Sequence, residues 1–290
     1  MNNNKKISVY GGSGFIGSSF LSAFPSQTIQ IPRDQNTPMS DEVLYFISTN
    51  HNYHVFDNPH LDIDTNLTKL IDVLEACKNS NRTCTFNFIS SWFVYGKKNK
   101  FPVTETDECH PEGFYSITKY AAERLLVSYC DTFKMKYRIL RLTNIIGENA
   151  TEVSIKRNAL QYLIETLFDN KEVKLYNDGS DMRDFMHIID ACRAIMKCIE
   201  NASIGETINI SNSDPHTIGE LVRYAQKRMG GNGKIISVEP PDFHKVVQSK
   251  DMHLDNIKLL SYGYAPSINT YDAVDRIVNY IMERKIQNVS

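Results

Sequence analysis

The sequence lacks the features that would place it in a membrane, on nucleic acid or in an oxidising compartment. No apolar run approaches the roughly 20 residues that span a bilayer, and Met1–Lys6 carries no signal-peptide pattern. No long basic run occurs and the formal charge is only -2, so neither nucleic acid nor an anionic membrane surface is an expected partner. Six cysteines (77, 84, 109, 130, 192 and 198) show no Cys-x-x-Cys and no metal-ligand spacing. A cytoplasmic protein without a bound metal is expected. No internal repeat or low-complexity tract is present, apart from an Asn/Lys-rich start expected to fray.

What is present points to a small molecule. With 290 residues, 41% of them apolar and 23% charged, the chain suits an α/β protein made of a nucleotide domain with a smaller lobe appended. Ile7-Ser8-Val9-Tyr10 is β-prone and runs directly into Gly11-Gly12-Ser13-Gly14-Phe15-Ile16-Gly17, followed by the apolar Phe20, Leu21, Ala23 and Phe24. Strand, glycine turn and helix together form a dinucleotide cradle. Gly11 allows the turn, Gly14 admits a pyrophosphate, Gly17 lets the helix pack on the strand, and the helix N-terminus faces the phosphates.

The next strand, Thr28 to Pro32, ends at Arg33-Asp34, where the cofactor ribose is read. Arg suits a 2′-phosphate and Asp a free 2′-hydroxyl; Arg33 favours NADP(H), with NAD(H) the alternative. Only Gln35 to Asp41 separate this point from the apolar strand Val43 to Ser48. A parallel crossover normally takes a dozen or more residues, so one strand–helix pair is expected to be shortened or missing, leaving the adenine side of the groove open. Ser13, Phe15, Ile16 and Ser48 complete the cofactor-contacting set.

Leu61 to Asn79 has helical periodicity, and Thr85 to Ile89 is a buried strand ending at Ser90-Ser91. Downstream, Tyr115 and Lys119 stand four residues apart and stack on one helix face. A cation beside the phenol is expected to lower its pKa and make it a usable proton donor or acceptor. Such a pair also arises by chance in a chain with 15 tyrosines; its neighbours give it meaning. Tyr137 to Leu142 reads as a further strand. Beyond about residue 150, helices over 160–168 and 188–199, strands over 173–176 and 207–210, and a turn at Asn177-Asp178-Gly179-Ser180 describe a lid over the strand ends.

Five ordered motifs carry a resemblance: Gly11-x-x-Gly14-x-x-Gly17, Ser90-Ser91-x-x-Val94-Tyr95-Gly96, Tyr115-x-x-x-Lys119, Arg141-x-x-Asn144-x-x-Gly147 and Asp178-Gly179-x-x-x-Arg183-Asp184-Phe185. Over Ile7 to Pro266 the chain resembles the extended short-chain dehydrogenase/reductases, the NAD(P)-dependent nucleotide-sugar epimerases, dehydratases and reductases. The resemblance implies a Rossmann-like doubly wound parallel sheet over residues 1–150. A smaller α/β substrate-binding lobe follows over 151–290, with some chain crossing back. By position, Ser91 would hydrogen-bond the reacting sugar oxygen, Tyr115 exchange the proton, and Lys119 bind the nicotinamide ribose. Asn144 and Arg183 would hold the diphosphate of a nucleotide-diphosphate sugar, with Trp92 beside them, and Asn66 would shape the backbone under the site. A homodimer through helices near 66–76 and 115–129 is implied as well.

Departures narrow the reaction. The family's 4,6-dehydratases place Asp-Glu after the catalytic hydroxyl; here Trp92 and Phe93 cannot move protons, which disfavours water elimination. No Cys follows Ser91 and no His lies between His110 and His187, which disfavours 3,5-epimerisation of the kind resembling GDP-fucose synthase. The leading expectation is a 4-ketoreductase of a nucleotide-activated 4-keto-6-deoxyhexose, because reductases of this kind often resemble the Arg33-Asp34 ending. The alternatives are a 4-epimerase resembling UDP-galactose 4-epimerase and a non-catalytic dinucleotide-binding protein. Cys109-His110 is expected not to act as a thiolate couple, and His187 to be structural.

Overall fold

The computed structural model describes residues 6–148, 150, 153, 154, 156, 158–231 and 233–287. The Asn/Lys-rich start and part of the expected lobe boundary near 150 lie outside these.

In chain order the nucleotide half runs β1 (Ile7–Tyr10), α1 (Phe15–Ala23), β2 (Thr28–Gln30), β3 (Glu42–Tyr45), α2 (His60–Ile63), α3 (Lys69–Asn79), β4 (Thr85–Ser91), α4 (Phe114–Phe133) and β5 (Lys136–Leu142). It continues through β6 (Asn144–Ile146), α5 (Ala159–Phe168), β7 (Glu172–Tyr176), β8 (Met182–His187), α6 (Ile188–Asn201), β9 (Thr207–Ile210) and β10 (Pro215–Thr217). The remainder is α7 (Ile218–Arg228), β11 (Lys234–Val238), α8 (Asp242–Val247), α9 (Ile257–Ser261) and α10 (Thr270–Gln287).

Six strands form one parallel sheet in the order β2-β1-β3-β4-β5-β9. β2 is its edge, and the chain passes from β2 to the far side of β1 with no intervening helix, so the expected strand–helix pair is absent. The short crossover is pinned from beneath. Tyr10 donates to the Asn36 carbonyl at 2.7 Å, and Ser8 Oγ accepts from the Met39 and Ser40 amides, each at 2.9 Å. The two side-chain directions of β1 divide the core. Ile7 and Val9 pack with Phe20 of α1 and the α6 residues Ile188, Ile195 and Ile199. Tyr10 packs with Leu70, Leu74 and Leu126 of α3 and α4 on the opposite face. Helices therefore cover both faces, as all-parallel sheets require.

At Thr143 the chain leaves the main sheet. β6 joins β8 and β10 in a second, three-stranded sheet, and β7 pairs with β11. α5, β7, α7 and α10 close a separate core around Leu163, Leu175, Leu221 and Ile277. β9 and α6 belong to the first sheet's packing, so chain beyond residue 150 does cross back. The carboxyl ends of β1, β3, β4 and β5 face the junction of the two cores, the usual ligand position in such sheets.

Candidate active site

The glycine turn is built by three different constraints. Gly11 has φ +76°, a conformation that L side chains rarely adopt. A Cβ on Gly17 would sit 2.3 Å from the Gly11 carbonyl oxygen, which only glycine avoids, so α1 packs directly on the turn. A Cβ on Gly14 would meet that oxygen at an ordinary 3.5 Å. Gly14 therefore does little for packing, and its bare face is turned to a groove. Gly12, not singled out from the sequence, has the packing role toward β2: its Cβ would lie 2.6 Å from the Leu21 side chain and 3.0 Å from Gln30.

The groove measures about 1140 Å³, more than the roughly 300–1,000 Å³ of typical small-molecule sites. Gly11 to Gly17, Arg33, Ser48, Ser91, Tyr115 and Lys119 all line it. Asp34 does not, so of the adjacent pair only Arg33 faces the ribose end. Thr49, Asn50, Thr143 and Asn158 line it too and were missed; Thr49 and Asn50 follow β3, so strand ends alone would have pointed to them.

Ser91 closes β4 and caps the following 3-10 turn, accepting from the Phe93 amide at 3.4 Å. Tyr115 sits in the first turn of α4, whose start is fixed by Ser116. The Ser116 hydroxyl accepts from the Gly113 amide at 2.9 Å, and the Ser116 amide donates to Asn52 Oδ1 at 3.3 Å. These two anchors bring the hydroxyls to one groove wall: Ser48, Ser91 and Tyr115 all line it, and the two serine side chains favour the ionised form of the phenol. Tyr115 and Lys119 are 7% and 2% exposed.

The electrostatics differ from the sequence expectation. The Tyr115 pKa is raised, first by burial and then by the Asp62 charge, with Ser91 and Ser48 pulling the other way. Lys119 does not act on the phenol. Burial lowers its own pKa to about 7, partly offset by Glu123, and its ammonium lies over the Phe88 ring, 4.3 Å from the centroid. Desolvation wins over the expected cation effect because both groups are removed from water together.

Asn66 occupies a π turn, Asp64–Thr68, between α2 and α3. It is buried and accepts from Ser48 Oγ at 3.1 Å and the Thr49 amide at 2.9 Å, so it does shape the backbone under the site. π turns of this kind concentrate at functional positions.

Trp92, Asn144 and Arg183 are brought together, but none of them lines the groove; Trp92 lines a separate small cavity with Phe93, Val247 and Ser249. Trp92 Nε1 donates to Asn144 Oδ1 at 3.3 Å, and the Arg183 guanidinium lies 5.7 Å from the Trp92 ring. The Arg183 fork is committed to the protein: it donates to the Ser249 carbonyl at 2.7 Å, the Met182 carbonyl at 2.8 Å, the Lys250 carbonyl and Asp181. His187 is wholly buried, bonds Glu148 at 2.9 Å and caps α6. Cys109 and His110 do not couple: His110 turns to Glu108, and burial pushes the Cys109 thiol up to about 11. Among the described residues no group of three or more His, Cys, Asp or Glu could hold a metal ion, and no helix is long and apolar enough to cross a membrane.

The chain matches the model of the NAD dependent epimerase/dehydratase family over residues 34–211. It belongs to that family. It is thereby an enzyme of the extended short-chain dehydrogenase/reductase group, with a nicotinamide dinucleotide as cofactor. A putative UDP-glucose 4-epimerase of Methanocaldococcus jannaschii is 25% identical over 225 residues, 78% of this chain and 72% of that protein. Among solved structures, UDP-glucose 4-epimerase of Thermotoga maritima with UDP-glucose superposes with a TM-score of 0.86 at 21% identity, covering 97% and 99% of the two chains. RMD of Pseudomonas aeruginosa with NADPH superposes with a TM-score of 0.84 at 20% identity, covering 97% of this chain and 100% of that one.

The residues of the groove fit a dinucleotide. The first turn of α1 carries no acidic residue to compete for its free amides, the Gly14 face is bare, and the cationic side chains Arg33 and Lys119 line the same groove.

Proposed function

We propose that this enzyme acts at C4 of a nucleotide-diphosphate sugar and works as a 4-epimerase. The observation that carries the reading is the pair of hydroxyls, Ser91 and Tyr115, on one groove wall with Lys119 one helical turn on. Ser91 holds the oxygen on C4. Tyr115 takes its proton and returns it from the same position, which suits a group that must work in both directions. Lys119 sits where the ribose next to the reacting ring would lie. A bound nicotinamide dinucleotide supplies the hydride acceptor and donor. Trp92 and Phe93, directly after Ser91, hold no acid or base that could eliminate water, so the chemistry stops at hydride and proton exchange.

Epimerisation is favoured over the reductase expected from Arg33-Asp34 because the M. jannaschii relative and the T. maritima neighbour carry 4-epimerase names. The second reading, a 4-ketoreductase drawing on NADPH, rests on Arg33 lining the groove where Asp34 does not. Arg183 and Asn144 would reach the substrate diphosphate only after the Ser249–Lys250 carbonyls release the Arg183 fork. A homodimer would cover the exposed apolar residues Phe114, Ile117 and Leu125 of α4 and Ile63 of α2. The test is product analysis with a panel of nucleotide sugars. Inversion at C4 without net cofactor consumption supports the epimerase, and stoichiometric NADPH oxidation on a 4-keto sugar supports the reductase.

A further inference from the structure

Asp62, on the short helix α2, is wholly buried, and its Oδ2 has no hydrogen-bond partner. A carboxyl group in that state is costly unless it serves a neighbour. Its Oδ1 accepts from Thr49 Oγ1. Because the single Thr49 hydroxyl proton goes to Asp62, Thr49 Oγ1 must accept from Asn66 Nδ2, at 2.8 Å. Asn66 Oδ1 then faces the Thr49 amide and Ser48 Oγ. The Ser48 proton is used on Asn66, which leaves Ser48, on the groove wall with Tyr115, only lone pairs to turn toward it. The Ser48 hydroxyl, one Asn66 amide proton and the Thr49 hydroxyl thus run in sequence toward Asp62, while the second Asn66 amide proton goes to Thr118 Oγ1 at 2.9 Å.

We propose that Asp62 is a positioning residue for proton exchange at Tyr115: it terminates this polarised chain and places a negative charge behind the phenol. The inference rests on Tyr115 being the proton-exchanging group of the proposed function. Such a group works best with a pKa near the working pH. The Ser91 hydroxyl draws the phenol toward phenolate, and a positively charged oxidised nicotinamide ring would add to that pull. Asp62 opposes it, so that the phenol can give its proton back.

Among the described residues, the acidic, basic and histidine side chains on the elements around the phenol are Lys119, Glu123, Arg124 and Asp131 on α4, His60 and Asp62 on α2, Asp64 in the π turn and His54 in the 3-10 turn Asn52–Phe56. Glu123 and Arg141, further off, are paired with each other at 2.7 Å. Of these, Asp62 is the one whose charge acts on the phenol, while His54 acts on Asp62.

The test is the ultraviolet titration of Tyr115 in the free protein, taken as the tyrosinate absorbance lost on Tyr115→Phe and repeated in an Asp62→Asn background. Asp62→Asn is expected to move the Tyr115 titration down by about one pH unit, and the kcat–pH profile by a similar step, with KM for the sugar nucleotide unchanged. Asp62→Ser removes the same charge in a smaller side chain and reads the same quantity if the amide variant folds poorly. A titration that stays in place in either folded variant overturns the proposal, even if the melting temperature falls. Since the absorbance needs no substrate, that result would leave the proposed function standing. Full turnover by Tyr115→Phe would instead remove the function itself.

Discussion

Ser91, the last residue of β4, shares the groove wall with Tyr115, in the first turn of α4, across 24 residues of sequence, and favours the ionised form of its phenol. Neither hydroxyl is set by its own side chain alone: the β4 strand end places one and the Ser116–Asn52 cap places the other. Tyr115→Phe is expected to lower kcat by about 10²–10⁴-fold, with dinucleotide binding unchanged. Ser91→Ala should cost about 10²–10³-fold. Steady-state kinetics beside a cofactor titration check both.

Lys119 gives a prediction of opposite sign for stability and activity. Its folded pKa, about 7, lies below the ordinary lysine value of 10.5. Below pH 7 both folded and unfolded forms carry the proton, and the penalty of burying the charge is present in full. Between about 7 and 10.5 only the unfolded chain binds the proton, so stability rises with pH through that window. Lys119→Met should therefore raise the unfolding free energy at pH 6–7 by roughly 2–5 kcal/mol, on the order of the shift. The gain should shrink toward pH 10 while activity is lost. Denaturant melts at several pH values test the trend.

The glycine turn separates folding from binding. Gly17→Ala drives a Cβ into the Gly11 carbonyl and is expected to cost about 1–3 kcal/mol of stability. Gly14→Ala, with ordinary contact only, should melt like the parent yet bind the dinucleotide at least tenfold more weakly. Thermal melts and cofactor affinity on the two variants give the comparison.

Arg183 is a strut of the smaller lobe in this structure. Arg183→Ala strands the Ser249 and Lys250 carbonyls and Asp181, with an expected loss of roughly 2–4 kcal/mol. Arg183→Lys would keep the charge but not the fork. If the fork also serves the substrate diphosphate, KM for the sugar nucleotide should rise in Arg183→Lys more than the melting temperature falls.

Much of the nucleotide half was legible because its signals are local. The glycine spacing, the β-prone run before it and the shortage of residues between Arg33 and Val43 each report on neighbours in sequence, and they placed β1, α1 and the missing strand–helix pair correctly. The Tyr115 pKa was misread because four-residue spacing says nothing about burial, and burial controls both Tyr115 and Lys119. Arg183 was read as open to ligand because its partners at 249 and 250 lie 66 and 67 residues away and leave no local trace. Asp62 and Thr49 went unnoticed for the same reason: their link crosses from a strand end to a separate helix. β6, β8 and β10, three to six residues long, are defined by pairing in a small second sheet more than by any pattern of their own.

The central claim is that Ser91 and Tyr115 exchange a proton with the oxygen on C4 of a nucleotide sugar. The most direct measurement is C4 turnover of a nucleotide-sugar panel by the parent and by Tyr115→Phe, with product stereochemistry read by NMR and cofactor redox state read by absorbance. The account predicts C4 inversion by the parent and loss of most of the rate in Tyr115→Phe with dinucleotide still bound. A variant that turns over at the parent's rate would contradict it.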